Sequence, residues 1–437
     1  MIDNSIFNNK KVVFHTLGCK LNFAETSAIG KQLSDEGFSK VRPGEQADVC
    51  IINTCSVTDT ADHKCRQAIN RLNRNHPNAI MVVTGCYAQL KPEEISKIEG
   101  VDLVLGANEK FSILDHIHQL ETSQTGIIHR SEIASVEVFK PSCSRDDRTR
   151  FFLKVQDGCD YHCTYCTIPL ARGKSRNASI DETVNMAKQA IADGAKEIVL
   201  TGINTGDFGK STGEKFFDLV KALDALPEEI RFRISSIEPN LLTDEMITYV
   251  AQSNHFMPHF HIPLQSGSNE VLQLMKRRYN KEMFAKKIDT IKNVMPDAFI
   301  GVDVIVGVKG ETDELFANAL EFISSLDISQ LHVFSYSERA GTKMLEIEHT
   351  VSNTERKRRS DVLHALSDKM TKAFYQNQIG KTANVLWEST HKDETMVGFT
   401  ENYVRLERSL DKSLVNSIHS VTMGEWNEEM SALKVVN

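Results

Sequence analysis

Three of the nine cysteines in this 437-residue chain stand in one short stretch. From Gly158 to Cys166 the chain reads GCDYHCTYC, which sets Cys159, Cys163 and Cys166 in a C-x3-C-x2-C array with Tyr161 and Tyr165 between them. Three thiolates on so short a loop can converge on one metal centre. A structural zinc ion takes four ligands in a closed tetrahedron; here the fourth would come from elsewhere, His162 being the nearest candidate. An iron–sulfur cluster also takes four thiolates, one per iron. Held by only three, such a cluster keeps one iron open to a substrate or cosubstrate. Zinc motifs more often use paired C-x2–4-C arms than a triplet.

A second trio emerges only when the elements around it are read. Residues 11–16 (KVVFHT), 48–53 (DVCIIN) and 79–84 (AIMVVT) are β-type runs, and helical patterns follow at 23–36 and about 58–75. Residues 101–105 are a weaker fourth strand, and 111–120 a helix. Strands alternating with helices predict an open parallel sheet covered on both faces. Cys19, Cys55 and Cys86 each stand just after one of the first three strands. Open parallel sheets bind ligands outside the carboxyl ends of their strands, so these cysteines are expected at one edge, as candidate metal ligands. Cys50 lies within a strand and Cys65 within a helix, and both read as packing residues.

The loop triplet opens a second unit. FFLKV (151–155), KEIVLT (196–201), RFRISSI (231–237), MPHFHIPL (257–264), AFIGVDVIV (298–306) and QLHVFSY (330–336) are predicted strands with helical patterns between them, including one helical region from Asn269 through Met295. Six strand–helix units predict a partial (β/α)6 barrel, whose working residues lie on loops after the strands. Gly202 and Asn204, Glu238 and Gln265 all follow strands in this way. Residues 354–378 form a long helix with a basic start, and from Ile379 onward alternating segments predict a small antiparallel β-barrel. The α/β chain thus divides into 1–120, an open-sheet domain; 121–150, a polar linker holding Cys143; 151–378, the barrel with its following helix; and 379–437, the small barrel.

Composition narrows the class. Hydrophobic residues are 41% and charged residues 25%, as in an ordinary globular protein. No apolar run reaches about 18 residues, so no membrane span is expected. The start, MIDNSIFNNKK, lacks the apolar core of a secretory signal. An odd number of cysteines without such a signal argues for a reducing, cytoplasmic setting in which thiols serve metal or catalysis. The net charge of −8 does not advertise nucleic-acid binding, although a local basic patch acts over only about 8–10 Å. Candidates are the start of the long helix and KRRYNK (276–281).

With its aromatic before the third cysteine, GCDYHCTYC resembles the radical S-adenosylmethionine (SAM) superfamily. That resemblance implies a 4Fe-4S cluster on Cys159, Cys163 and Cys166, whose open iron chelates the amino and carboxylate groups of SAM. It further implies that Tyr165 lies near the adenine, and that Gly202, Asn204, Glu238 and Gln265 help to hold SAM. IPLARGKSR matches a family string loosely, one residue short before Ser175, and offers Arg172 and Arg176 to an anionic substrate. GCKLN with Glu25 after it, NTCSVTDTADHKC and TGCYAQ resemble the N-terminal domain of the methylthiotransferases, which implies a second 4Fe-4S cluster on Cys19, Cys55 and Cys86. The longer INTCSVTDTADHKCRQAI, with Cys65, is most similar to the MtaB-type branch, which methylthiolates C2 of N6-threonylcarbamoyladenosine at position 37 in the tRNA anticodon loop. IGKTANVLWE resembles the start of a TRAM domain, an RNA-binding barrel, though this one is net acidic and its aromatics read as core. Two departures concern loop shape: GVKG with Lys309 where relatives carry GFPG, and YSERAGT without the usual prolines.

The implied reaction uses one SAM as methyl donor and another as the source of a 5′-deoxyadenosyl radical. The C2–H of adenine has no pKa within reach of a side-chain base, so the cofactor must carry the hard step. The resemblance also implies as partners the tRNA anticodon stem-loop, an electron donor such as flavodoxin or ferredoxin, and a sulfur source. Alternatives are methylthiolation of isopentenyladenosine in tRNA or of a ribosomal-protein aspartate, and a non-catalytic zinc-bearing RNA-binding protein.

Overall fold

The computed structural model describes residues 9–42, 44–120, 125–144, 149–392 and 394–436. The first sheet is built from β1 (Lys11–Thr16), β2 (Ser39–Lys40), β3 (Val49–Thr54), β4 (Ile80–Gly85), β5 (Leu103–Leu105) and β6 (Ile127–His129), in the order β2-β1-β3-β4-β5-β6 and parallel throughout. All six residues of β3 are buried, as expected of a central parallel strand with helices on both faces. Helices α1 (Lys20–Asp35) and α2 (Asp59–Asn75) follow β1 and β3, and the short α3 (Cys86–Leu90) and α4 (Pro92–Ile95) follow β4; α5 (Ile113–His118) comes after β5.

The central unit comprises β7 (Ser142–Cys143), β8 (Phe151–Lys154), β9 (Glu197–Thr201), β10 (Arg231–Ile234), β11 (His259–Gln265), β12 (Phe299–Val306) and β13 (Gln330–Ser335). Its strands form two sheets, β10-β9-β8-β7 and β11-β12-β13. They are stitched at β10 and β11 by the parallel bridges Phe232–Phe256 and Ser236–His261. Strands β8 to β13 therefore curve into the expected open barrel. Helices α6 (Ile168–Arg172), α7 (Ile180–Ala192), α8 (Phe216–Asp224), α9 (Asp244–Gln252), α10 (Asn269–Leu274), α11 (Lys281–Val294), α12 (Asp313–Ser325) and α13 (Asn353–Gln376) complete the unit. One large apolar core joins helices to strands here, with Phe232, Phe260 and Phe284 buried in it. The last strands, β14 (Thr382–Lys392), β15 (Thr395–Phe399), β16 (Arg405–Ser409), β17 (Ile418–Asn427) and β18 (Ala432–Val436), close a barrel in the order β14-β15-β16-β18-β17 around Trp387.

Two sequence expectations change. The stretch read as a linker contributes β6 to the edge of the first sheet and β7, antiparallel, to the edge of the second; both strands were too short to show a periodicity. Residues 121–124 and 145–148 of that stretch, with part of its charge run, lie outside the described residues. The single helical region from Asn269 to Met295 is two helices. Lys276 takes φ of 55°, which no helix tolerates, and Asn280 caps the restart by accepting from the Met283 N–H at 2.9 Å. That break frees Arg277 from the helical surface.

Candidate functional site

The loop triplet lies between β8 and α6, at the mouth of the open barrel. Each sulfur accepts a hydrogen bond: Cys159 Sγ from the Tyr161 N–H at 3.4 Å, Cys166 Sγ from the Ile168 N–H at 3.4 Å, and Cys163 Sγ from Arg277 Nη1 at 3.0 Å. Such donors suit thiolates. Burial pushes the Cys159 and Cys166 thiols up to about 12 and raises Cys163 against the pull of Arg277. Thiols buried in this way ionise when a bound cation takes their charge.

These sulfurs line a cavity of about 320 Å³. Tyr165, Asn204, Glu238 and Gln265 line it with them, as do Asp303 and Arg277. Gly202 does not; it borders a neighbouring cavity. Two buried polar atoms in the wall, Asn204 Nδ2 and Gln265 Oε1, have no hydrogen-bond partner among the described residues. An orphaned donor and an orphaned acceptor on one apolar-walled cavity mark places for a polar ligand. Burial raises the Glu238 carboxyl, opposed by the Arg277 guanidinium that pairs with it. Arg277 also donates from Nε to the Tyr279 hydroxyl at 3.1 Å. KRRYNK was read as a possible RNA patch; its first arginine instead lies inside the site, while Arg278 stays at the surface over the Tyr161 ring.

A further missed group is a carboxylate between two imidazoles. Asp303 Oδ1 lies 2.6 Å from His261 Nε2 and 3.1 Å from His332 Nδ1. Burial would raise this carboxyl, but the two rings hold it well below the usual range. The three residues sit on β11, β12 and β13, and only the register of that sheet aligns them.

The second trio assembles at the carboxyl edge of the first sheet. Cys19 is the N-cap of α1, Cys55 follows β3, and Cys86 opens α3. Two glycines show how close the three turns are. A Cβ on Gly18 (φ +110°) would stand 2.8 Å from Cys55 Cβ, and one on Gly85 (φ +99°) 2.4 Å from the Thr54 carbonyl oxygen. Asn22 ties the turns together, its Nδ2 donating to the Leu17 and Thr54 carbonyls at 2.7 and 3.0 Å. Burial pushes Cys55 up to about 12 and raises Cys86. Thr58 accepts the hydrogen bond that caps α2, whereas α1 and α3 begin at Cys19 and Gly85 with no side-chain cap.

Helix α6 connects the two trios. It starts beside Cys166 and ends at Arg172, which is 2% exposed. Arg172 Nη1 meets Glu25 Oε1 at 3.0 Å and Asp157 Oδ1 at 2.9 Å, and its Nη2 donates to Asn22 Oδ1 at 2.6 Å. Arg176 pairs with Asp157 at 3.1 Å. Arg172 and Arg176, expected to meet an anionic substrate, are both buried here against carboxylates of the protein. Glu25 is fully buried and is also met by Lys110 at 2.7 Å and Lys154 at 3.0 Å. Burial would raise its carboxyl, but Arg172, Lys110 and Lys154 hold it well below the usual range.

A second tie closes the opposite side. Arg339, in the YSERAGT loop, bridges to Asp62 at 2.8 Å and Asp59 at 2.5 Å on α2 and donates to the Ser56 carbonyl at 2.8 Å. The Met344 N–H donates to the Thr164 carbonyl of the cysteine loop at 2.8 Å. Lys309 reaches the Ile347 carbonyl at 3.1 Å, which fixes the loop that lacks GFPG. In the long helix Arg359 is buried against Glu311 at 2.7 Å and Asp313 at 2.6 Å, so part of its basic start is structural.

Residues 11–106 match the uncharacterized protein family UPF0004, and residues 153–323 the radical SAM superfamily. The chain is 40% identical over 420 residues to the threonylcarbamoyladenosine tRNA methylthiotransferase MtaB of Bacillus subtilis, covering 94% of this chain and 93% of that protein. It is 36% identical to the enzyme of the same name from Thermotoga maritima, covering 96% of each. Identity to the tRNA-2-methylthio-N(6)-dimethylallyladenosine synthase of Acetivibrio thermocellus is 28%, over 97% of this chain and 91% of that one. Among solved structures, the radical SAM methyltransferase TsrM of Kitasatospora setae superposes with a TM-score of 0.55 at 14% identity over 75% of each chain. That likeness concerns the fold alone.

Proposed function

The chain belongs to the radical SAM tRNA methylthiotransferase family, and from that premise we propose that it inserts a methylthio group at C2 of N6-threonylcarbamoyladenosine at position 37 of tRNA. The observation that carries this reading is the joining of two thiol trios by one five-residue helix, α6, across a buried interdomain cleft.

Cys159, Cys163 and Cys166 would hold a 4Fe-4S cluster that, with SAM, would supply the one-electron chemistry needed at an unactivated C–H bond, and Cys19, Cys55 and Cys86 would hold a second that would supply the sulfur-transfer site. The protein's part is orientation and charge. Arg277 balances the loop thiolates from the Cys163 side and holds Glu238 in the cavity wall. Asn204 Nδ2 and Gln265 Oε1, a donor and an acceptor without partners among the described residues, would meet the polar end of SAM. Tyr165 closes the same wall, and the apolar side chains of Ile203, Ile305 and Phe334 help to exclude water. Glu25 and Arg172 lock the N-terminal sheet to the barrel, so the two thiol trios keep one separation. The small C-terminal barrel resembles an RNA-binding domain in its position and strand order, and an electron donor and a sulfur source would complete the reaction in the cytoplasm.

Nucleoside mass spectrometry of tRNA from a strain lacking this protein tests the reading. The 2-methylthio-N6-threonylcarbamoyladenosine peak is expected to vanish and the unthiolated nucleoside to accumulate. An unchanged peak, or loss of the isopentenyl relative instead, overturns it.

A further inference from the structure

A second cavity, of about 430 Å³, opens on Cys19 rather than on the loop thiols. It adjoins the first: Ser236 lines both, and the His261–Asp303 contact spans the wall between them, His261 facing the second cavity and Asp303 the first. The charged side chains that line it among the described residues are of one sign. Among the described residues, Lys20, Arg150 and Arg233 border it and no Asp or Glu does.

Two of the three cations are already engaged. Arg150 pairs with Glu388 at 2.9 Å and donates to the Tyr403 hydroxyl at 2.8 Å. Arg233 pairs with Glu197 at 2.8 Å and donates to the carbonyls of Thr400 and Glu401 at 2.7 Å each. Lys20 is different: among the described residues none hydrogen-bonds or ion-pairs with its ammonium. Two further groups in the wall are buried without partners among the described residues, Ser235 Oγ and His259 Nδ1, at residues 4% and 8% exposed. Buried polar groups are ordinarily satisfied, so a lone cation with two orphaned hydrogen-bonding groups describes a ligand with one negative charge and several polar atoms.

Resting on the substrate reading above, we infer that this chamber receives the threonylcarbamoyl arm of the base, with Lys20 as counter-cation to its carboxylate and Ser235 and His259 as hydrogen-bond partners. The arm carries a single carboxylate, a hydroxyl and a urea carbonyl. An isopentenyl arm carries none of these and would leave Lys20 and both orphans unpaired. A site built to hydrogen-bond a substrate rejects the analogue lacking those groups far better than an apolar pocket rejects an added one. Lys20 is therefore a specificity-determining residue, placed by the same turn that carries Cys19.

The test uses the reconstituted holoenzyme and two anticodon stem-loop RNAs, one bearing N6-threonylcarbamoyladenosine and one its neutral methyl ester. Wild-type protein is expected to favour the acid about tenfold or more in kcat/KM, the size of a charged hydrogen bond. K20M is expected to bring the acid-to-ester ratio near one, K20R to keep the preference, and S235A to lower turnover of the acid about threefold to tenfold. Iron and sulfide content is measured on each variant, because Lys20 neighbours Cys19. An acid preference that persists in K20M with full iron, or equal wild-type rates on acid and ester, overturns the inference. Wild-type turnover of an isopentenyladenosine stem-loop with neither of the others is a separate result, and it overturns the substrate reading itself.

Discussion

The two thiol trios are held by opposite means. Cys159, Cys163 and Cys166 share a single loop, whose sulfurs are oriented by amides two residues away and by one distant side chain, Arg277. Cys19, Cys55 and Cys86 come from three separate turns, which meet because β1, β3 and β4 are neighbours in a parallel sheet. The first centre is a property of a loop; the second is a property of a sheet register and of the buried charges that dock that sheet on the barrel. The difference predicts that the loop centre survives changes that dissolve the other.

The largest effects separate the chemistry. C159A should abolish SAM cleavage, with 5′-deoxyadenosine falling below detection and iron to about half, since a cluster takes its irons through these thiolates. C86A should lose the methylthio product but continue to form 5′-deoxyadenosine. If both variants lose both activities, the two centres do not work separately and the comparison fails.

Next in size is the interdomain charge cluster. E25Q leaves the buried Lys110 without its carboxylate and takes one of two carboxylates from Lys154 and Arg172, which keep Asp157; removing one partner of a buried ion pair costs about 3–5 kcal/mol. Thermal unfolding should shift accordingly, and iron should be lost from the sheet-edge centre first. The acid response follows from the same carboxylates. Glu25 and Asp157 are held below their ordinary values of 4.5 and 3.8. Their anions therefore add stability above those values, and it drains away as pH falls through about 4 and lower. Urea unfolding against pH should show that decline in the wild type and a shallower one in E25Q; parallel curves would mean the cluster does not stabilise the docked state.

A smaller effect is expected at Arg277, the distant side chain that reaches a loop sulfur. R277M removes charged hydrogen bonds to Cys163 and Glu238, worth about 1.5–3 kcal/mol, so KM for SAM should rise about tenfold to a hundredfold. Iron at the sheet edge should stay constant. The smallest effect is at Cys65, a buried thiol that donates to the Cys55 carbonyl at 3.3 Å. C65A should cost about 1 kcal/mol and leave iron and sulfide content unchanged; iron loss comparable to that of C86A would make Cys65 a fourth member of the sheet-edge set.

What the amino-acid sequence determined by itself was whatever lies close along the chain. Cys159, Cys163 and Cys166 are bound to share a loop by their spacing alone. Cys19, Cys55 and Cys86 could be placed at strand ends because alternating apolar strands and helices leave little choice of layer. Asn204 and Glu238 stand just past a strand and Gln265 at the end of one, positions the same alternation marks. What only the tertiary structure decided were the partners of charged side chains. Arg172 reads as a basic loop residue until Glu25, 147 positions away, is brought to 3.0 Å. Arg277 reads as part of a basic surface helix until the positive φ of Lys276 breaks that helix. His261, Asp303 and His332 share one hydrogen-bonded point only through the register of three strands. The physical reason is common to all of them. Periodicity and turn chemistry act over a few residues, whereas a buried charge is settled by whichever opposite charge the packed fold brings within about 3 Å.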